Sequence, residues 1–386
     1  MPVFELPSAK NLSVTKAVET FVPTPLYWRT LASDEHTIVY GTRGSGKTFL
    51  LKMMAIDHLS AFAKINSQAH TALHESRRLG LFLPLGIDWC VAYQSDSPQG
   101  MRLFRDGLNL SAADCLLEGV ETLLNQGVIP GLDSTIAEAA LARELSELWF
   151  RPLGRSVGSF ATLRRQLLLH QAILGDLWRN GQSPDPAEEQ AAGYLFRAGE
   201  LLAPLRNAIC IVNERLSLPV HHRWVLCLDE LEDLHPGQLK EILTVLRANV
   251  RELTIKITTQ PYTIEKTLTG FAPNATAVDF RDYQVERLQY DPHDQAYVDL
   301  AGEILKRRVE DKLRTGEAIA IDLFGQSTFA DRAGTGDPEF RGLKTRLLAS
   351  PGGRDSARKK VPVAAIRSLR RQAEGNRRSE AYSGWS

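Results

Sequence analysis

Cysteine is scarce in this chain. Four residues in 386, Cys90, Cys115, Cys210 and Cys227, stand far apart, and none forms a Cys-x-x-Cys pair. That argues against a disulfide-stapled scaffold and against a zinc ribbon. Each cysteine is expected to be a small buried hydrophobe in a reducing compartment. Long hydrophobic runs are missing as well: no stretch approaches the roughly 20 apolar residues of a membrane helix. Residues 1–5 carry no basic stretch leading into an apolar run. The expectation is a cytoplasmic protein with no membrane partner. No nuclease, protease or deaminase constellation stands out, and His221–His222 read as turn residues rather than ligands.

Net charge is absent too, with 46 basic and 46 acidic residues, but the balance conceals an asymmetry. Residues 341–386 hold 12 Lys/Arg against 3 Asp/Glu, which leaves the rest of the chain as acidic as this segment is basic. Such a split suggests an anionic partner for the basic part. Basic side chains over residues 341–378 can neutralise phosphates without reading sequence. Aromatic residues are nearly absent there, apart from Tyr382 and Trp385 just beyond, which argues against a stacking platform for single strands. Nucleic acid binding and docking onto an acidic protein both remain open for this tail.

What is present is one strong pattern. Gly41-Thr42-Arg43-Gly44-Ser45-Gly46-Lys47-Thr48 satisfies the phosphate-binding loop, with four open positions between the first glycine and Gly46-Lys47-Thr48. A β-branched strand, residues 37–40, precedes it, and a helix follows that is expected to run through Leu59 or Phe62. The glycines let backbone N–H groups turn toward phosphate oxygens, and the helix start adds partial positive charge. Lys47 is expected to reach the β- and γ-phosphates and the Thr48 hydroxyl to ligate Mg²⁺.

A second strand is expected within residues 81–87, with Pro84 demanding an edge or a bulge. Residues 101–218 are Leu- and Ala-rich and read as helical. Their clearest stripe is Leu195, Ala198, Leu202, Leu205, Ile209, Val212 and Leu216, spaced by three and four; packing against sister helices is favoured over a coiled-coil seam. The unbroken apolar run 224–228 reads as a central parallel strand that ends in Asp229–Glu230. Pro236 then starts a helix with Leu239, Ile242, Leu243 and Leu246 on its inner face. Residues 253–259 form a fourth strand, a fifth is expected near 277–280, and a helix carrying Tyr297, Leu300, Ile304 and Leu305 returns after Asp291. Strand and helix alternate, so the fold class is α/β, a phosphate-loop NTPase with a parallel sheet flanked by helices. The expected organisation is a strap at 1–35, an ATPase core at 36–282 with a helical insertion at about 101–218, a helical lid at 283–340 and a basic tail at 341–386.

Asp229 stands where open α/β sheets place their ligands and can hold Mg²⁺, directly or through water. Glu230 can accept the proton of an attacking water. Thr258-Thr259-Gln260 ends the next strand, and Thr259 or a neighbour can sense the γ-phosphate. Arg281 is the best-placed arginine for transition-state charge, and Arg307 and Arg308 in the following helix can contact the nucleotide within the same subunit.

With these residues in view, Gly41 to Thr48, residues 226–234 and residues 257–260 resemble the Walker A, Walker B and sensor 1 elements of AAA+ and STAND ATPases. The Leu-Asp-Glu-Leu-Glu-x-Leu form is similar to the initiator (origin-recognition) clade, and residues 283–288 with the helix reaching Arg307–Arg308 look like the start of that clade's helical lid. The arrangement resembles bacterial initiator-like ATPases often linked to antiphage defence. The resemblance implies ATP and Mg²⁺ as ligands, ring or dimer assembly, and coupling of nucleotide state to a partner. Departures are Thr and Gln where sensor 1 is frequently Asn or Arg, an enlarged helical segment between strands two and three, and no assignable sensor 2 arginine. No Asn-Lys-x-Asp guanine motif and no Leu-Ser-Gly-Gly-Gln signature occurs, so adenine is expected by exclusion. Two functions stay in play: an ATP-hydrolysing motor or switch acting on nucleic acid or a defence partner, and a slow nucleotide-gated scaffold for a separate effector.

Overall fold

A computed structural model describes residues 12–85, 98–126, 129, 133–150, 157–179, 200–219, 221–246, 253–263, 283–288, 299–304 and 307. The chain divides into two compact units, Pro7–Leu300 and a second made of Met1–Leu6 with Ala301–Ser386. In the second unit the described residues 301–304 and 307 are helical, and Arg307 Nε donates to Glu303 Oε1 one turn back at 3.2 Å.

The first unit is built on a five-stranded sheet in the order β2-β3-β4-β1-β5. Its strands are β1 Thr37–Tyr40, β2 Arg78–Pro84, β3 Arg223–Asp229, β4 Leu253–Thr259 and β5 Gln284–Arg287, and all pairings are parallel. β3 and β4 are buried on both faces, as their apolar continuity demands. Among the described strands β2 pairs with β3 only, and Pro84 closes it opposite Asp229, the edge position a residue without an N–H can occupy. Residues 277–280 lie outside the described residues. Among the described residues the fifth strand is Gln284–Arg287, within the segment expected to start the lid. Its polar sequence hides it, because it borders β1 alone and is half-exposed.

Among the described residues two helices precede β1: α1 Val14–Thr20, capped by Ser13, and α2 Pro25–Ala32, capped by Thr24 with Pro25 in its first turn. Phe21 between them packs edge-on against Tyr27, Phe49 and Phe62. The end of this segment is pinned by Lys256, fully buried in β4, whose ammonium donates to Ser33 O, Glu35 O and Thr37 Oγ1 at 3.0, 2.7 and 3.0 Å. All three ammonium donors are thereby used. Arg29 holds Glu286 of β5 with two bonds of 2.8 Å.

The helix after the phosphate loop does not run unbroken to Phe62. It splits into α3 Lys47–Lys52 and α4 Ile56–Ala63. At the break the Tyr27 hydroxyl donates to Met53 O at 3.0 Å, and Ala55 forms an isolated bridge with Gly80 of β2. A Cβ on Gly80 would lie 1.9 Å from Met54 O, so only glycine admits this approach. A short helix α5 Ser67–His70 and a π-turn then lead into β2.

Between β2 and β3 the described residues form α6 Pro98–Asn125, α7 Ser134–Trp149, α8 Phe160–Arg179 and α9 Ala203–Arg215. Leu205, Ile209, Val212 and Leu216 are buried in the core, so that stripe packs within the molecule; residues 195 and 198 lie outside the described residues. Leu202, at φ 65°, breaks the stripe's helix and gives its N–H to Asn109 Oδ1 at 2.7 Å. Helix α6 is fastened to the sheet edge where Cys115 Sγ meets Phe82 O at 3.4 Å. Its Arg105 grips Glu241 of α10 Pro236–Val245. Leu239, Ile242 and Leu246 face inward from α10.

Cys227 is buried and Cys115 half-buried, whereas Cys210 is exposed, because it sits across α9 from the buried stripe. Burial pushes the Cys115 and Cys227 thiols up to about 12. Cys90 lies outside the described residues. His221 Nε2 and His222 Nδ1 lie 2.8 and 2.6 Å from the carbonyls of Glu75 and Pro219, consistent with turn residues. Among the described residues no helix is long and apolar enough to cross a membrane.

Candidate active site

The loop after β1 turns on two glycines in the left-handed region, Gly44 at φ 81° and Gly46 at φ 93°, and a Cβ at either would meet nothing within 4 Å. The backbone there is open to a ligand. Its root is tight: Gly41 N donates to Thr259 O at 3.3 Å, Leu288 N donates to Tyr40 O at 2.7 Å, and a Cβ on Gly41 would lie 2.3 Å from Leu288 O. The loop therefore springs from a slot between the ends of β4 and β5.

Thr42, Arg43, Gly44 and Gly46 are exposed, while Ser45 is half-buried with its Oγ sealed and without a hydrogen-bond partner among the described residues. Lys47 is 8 % exposed, and its Nζ donates to Gly41 O at 2.7 Å and Thr42 O at 3.0 Å. These are groups a phosphate can replace. Burial lowers the Lys47 pKa, and Arg43 adds to that; Glu232, Asp229 and Glu230 act against it, in that order. Loop lysine and strand-end acids therefore share one electrostatic site. Thr48 follows in the first turn of α3, half-buried.

Asp229 ends β3 at 0 % exposure. The hydroxyl of Thr258 on the neighbouring strand donates to Asp229 Oδ1 and accepts the Glu230 N–H at 3.3 Å. Glu230 leaves the strand at φ 66°, ψ 43°, left-handed geometry that costs a non-glycine residue about 1–2 kcal/mol. That turn reverses the chain into the 3₁₀ segment Leu231–Asp233, anchored by fully buried Leu231.

Thr259 contacts the loop through its carbonyl, and its 3 %-exposed side chain holds a hydroxyl with no partner among the described residues. Strand alternation puts it on the face opposite Thr258 and Asp229. Gln260, the next residue, donates from Nε2 to Glu232 Oε1 at 3.1 Å. Burial, and then Asp233, raise the Glu232 pKa, against lowering by its own backbone, Gln260 and Lys47. The sequence offers Thr258 and Gln260 only as neighbours of Thr259 and does not single out Glu232; the usable signal for Glu232 was the second acid in Asp229-Glu230-Leu231-Glu232, while the Thr258 role needs the strand register. Arg281, Arg308 and residues 341–378 lie outside the described residues.

The arrangement fits a polyphosphate. Open left-handed glycines, an unpartnered Ser45 hydroxyl and a lysine satisfied only by its own loop carbonyls are what such a ligand would engage. Among the described residues no group of three or more His, Cys, Asp or Glu could hold a metal unaided. The hard oxygens of Thr48 and Asp229 suit Mg²⁺, which takes few protein ligands and completes its shell with water and phosphate oxygens. Among curated proteins and among solved structures, none matches this chain. A family model described as ORC-CDC6-like matches residues 2–346.

Proposed function

Because this chain belongs to the ORC-CDC6-like family of AAA+ ATP-binding proteins, we propose that it binds Mg·ATP between the loop after β1 and the acidic end of β3, and hydrolyses it. The observation that carries the reading is the meeting of loop and strand ends: Gly41 N, at the root of the loop, donates to Thr259 O at 3.3 Å, and Thr258 beside it holds the Asp229 carboxylate. Backbone N–H groups from Thr42 to Thr48 cradle the phosphates, and Lys47 exchanges the carbonyls of Gly41 and Thr42 for β- and γ-oxygens. Thr48 and Asp229 would hold Mg²⁺, which when bound neutralises charge on those oxygens. Thr258 fixes the Asp229 carboxylate in one rotamer. Glu230 accepts the proton of the attacking water, Thr259 senses the γ-phosphate, and Arg281 stabilises transition-state charge from its own or a neighbouring subunit.

Nucleotide state then governs assembly into a homo-oligomer and engagement of nucleic acid, through residues 341–378, or of a defence partner. One observation favours slower chemistry, that of a nucleotide-gated scaffold serving a separate effector. Arg43 is exposed on the loop, and a second cation for the transition state has to come from Arg281 or from a neighbouring subunit. Lys47→Ala should abolish ATP affinity by calorimetry. Glu230→Gln should keep binding and stop hydrolysis, trapping the ATP state. Unchanged turnover in the Glu230 variant removes it as the base, and wild-type protein that assembles with ATP yet turns over none of it decides for the scaffold.

A further inference from the structure

The ends of β3 and β4 are tied together twice. One tie is Thr258, which bonds both the Asp229 carboxylate and the Glu230 N–H. The other lies one step further out, where Gln260 holds Oε1 of Glu232 at 3.1 Å. The second oxygen, Glu232 Oε2, is buried and, the residue's own backbone N–H aside, has no donor in hydrogen-bond geometry among the described residues. A buried carboxylate oxygen without a donor is costly, so the working state of the site should bring one to it. The neighbours limit which donor that is. The Gln260 amide is spent on Oε1, and Lys47 Nζ is turned onto its own loop. Of the three strand-end acids it is nonetheless Glu232 that acts most strongly on Lys47. The left-handed turn at Glu230 produces this placement, because it reverses the chain and sets Glu232 on the fully buried Leu231 as a pivot.

We propose that Glu232 is a further catalytic residue, whose Oε2 accepts a hydrogen bond from the attacking water, and that Gln260 is a positioning residue acting through it. This rests on the hydrolysis proposed above. In that step the water oxygen bonds to the γ-phosphorus, and the bond to the β–γ bridging oxygen breaks with its electrons retained by ADP. The water proton passes to Glu230. Glu232 takes no proton; it orients the water's second O–H, so that the lone pair faces phosphorus.

The test uses the full chain, with turnover and the affinity for a slowly hydrolysed Mg·ATP analogue measured on Glu232→Gln, Gln260→Ala and the double variant. Glu232→Gln should lower kcat by about 10- to 100-fold, with analogue affinity within about threefold of wild type. Gln260→Ala should fall in the same direction by less. The double variant should be no slower than Glu232→Gln alone, because Gln260 works only through that carboxylate. Multiplying losses, an unchanged kcat in Glu232→Gln, or analogue affinity lost in step with kcat each overturn the assignment, the last by making Glu232 a mere organiser of the site. Wild-type protein that binds the analogue without turning over ATP refutes the hydrolysis reading itself and this role with it. Wild-type turnover matched by Glu232→Gln refutes this role alone.

Discussion

Thr258 and Thr259 are adjacent, chemically identical and both buried, and their hydroxyls should answer to substitution in opposite ways. Thr258 Oγ1 donates to the fully buried Asp229 carboxylate and accepts from the Glu230 N–H. Thr258→Val keeps the shape and deletes both bonds. A hydrogen bond to a charged group contributes about 1.5–3 kcal/mol and a neutral one about 0.5–1.5, so the folded state should lose about 2–4 kcal/mol. The Asp229 carboxylate would also lose what fixes its rotamer, and half-maximal activity should need more Mg²⁺. Thr259 Oγ1 has no partner among the described residues. Thr259→Val removes a buried polar atom that gains nothing without nucleotide, so stability should hold or rise by up to about 1 kcal/mol. If the hydroxyl meets the γ-phosphate, turnover should nonetheless fall about 10-fold or more. Urea unfolding followed by the fluorescence of fully buried Trp224 and 1 %-exposed Trp149 reads the first quantity, and phosphate release reads the second. Equal destabilisation by the two variants, or a loss under about 0.5 kcal/mol in Thr258→Val, refutes the reasoning.

Burial lowers the Lys256 pKa from 10.5 to about 8. A base whose folded pKa lies below its unfolded one penalises the fold at pH values under the folded pKa, and stability recovers as pH rises between the two. From pH 8 to pH 10 that recovery should amount to about 2–3 kcal/mol in urea midpoints and should be missing in Lys256→Met; parallel profiles contradict it. Gly80→Ala, with its Cβ aimed 1.9 Å from Met54 O, should cost about 2–3 kcal/mol, and a melting temperature equal to wild type would show that the α3–α4 break is not held by β2. Removing residues 341–386 should abolish DNA binding that weakens steeply between 50 and 200 mM salt, by about 10³ for six or more phosphate contacts; binding that survives the deletion places the contact elsewhere.

Sequence exposes demands a segment makes on itself. Gly44 and Gly46 had to be glycine because the loop needs positive φ at both, and the strand 224–228 had to be buried on two faces because nothing in it tolerates water. Both were readable without knowing a single neighbour. The features that escaped are imposed by neighbours. The helix break at Met53–Ala55 comes from Gly80, on a strand that begins more than twenty residues later. The fifth strand, Gln-Val-Glu-Arg, is held by pairing to β1 and by Arg29 rather than by an apolar face. Cys210 is exposed because it lies across α9 from the buried stripe, a position set by what the helix packs against. The choice between the two threonines follows the same logic: the pairing of Leu228 with Ile257 sets Asp229 beside Thr258, and a slip of one residue would give Thr259 that place. A site assembled from the ends of two adjacent strands therefore carries its roles in the register between them. The residue types suited to the proposed chemistry can be read locally, and which of two neighbours faces the acid follows from the register of the sheet.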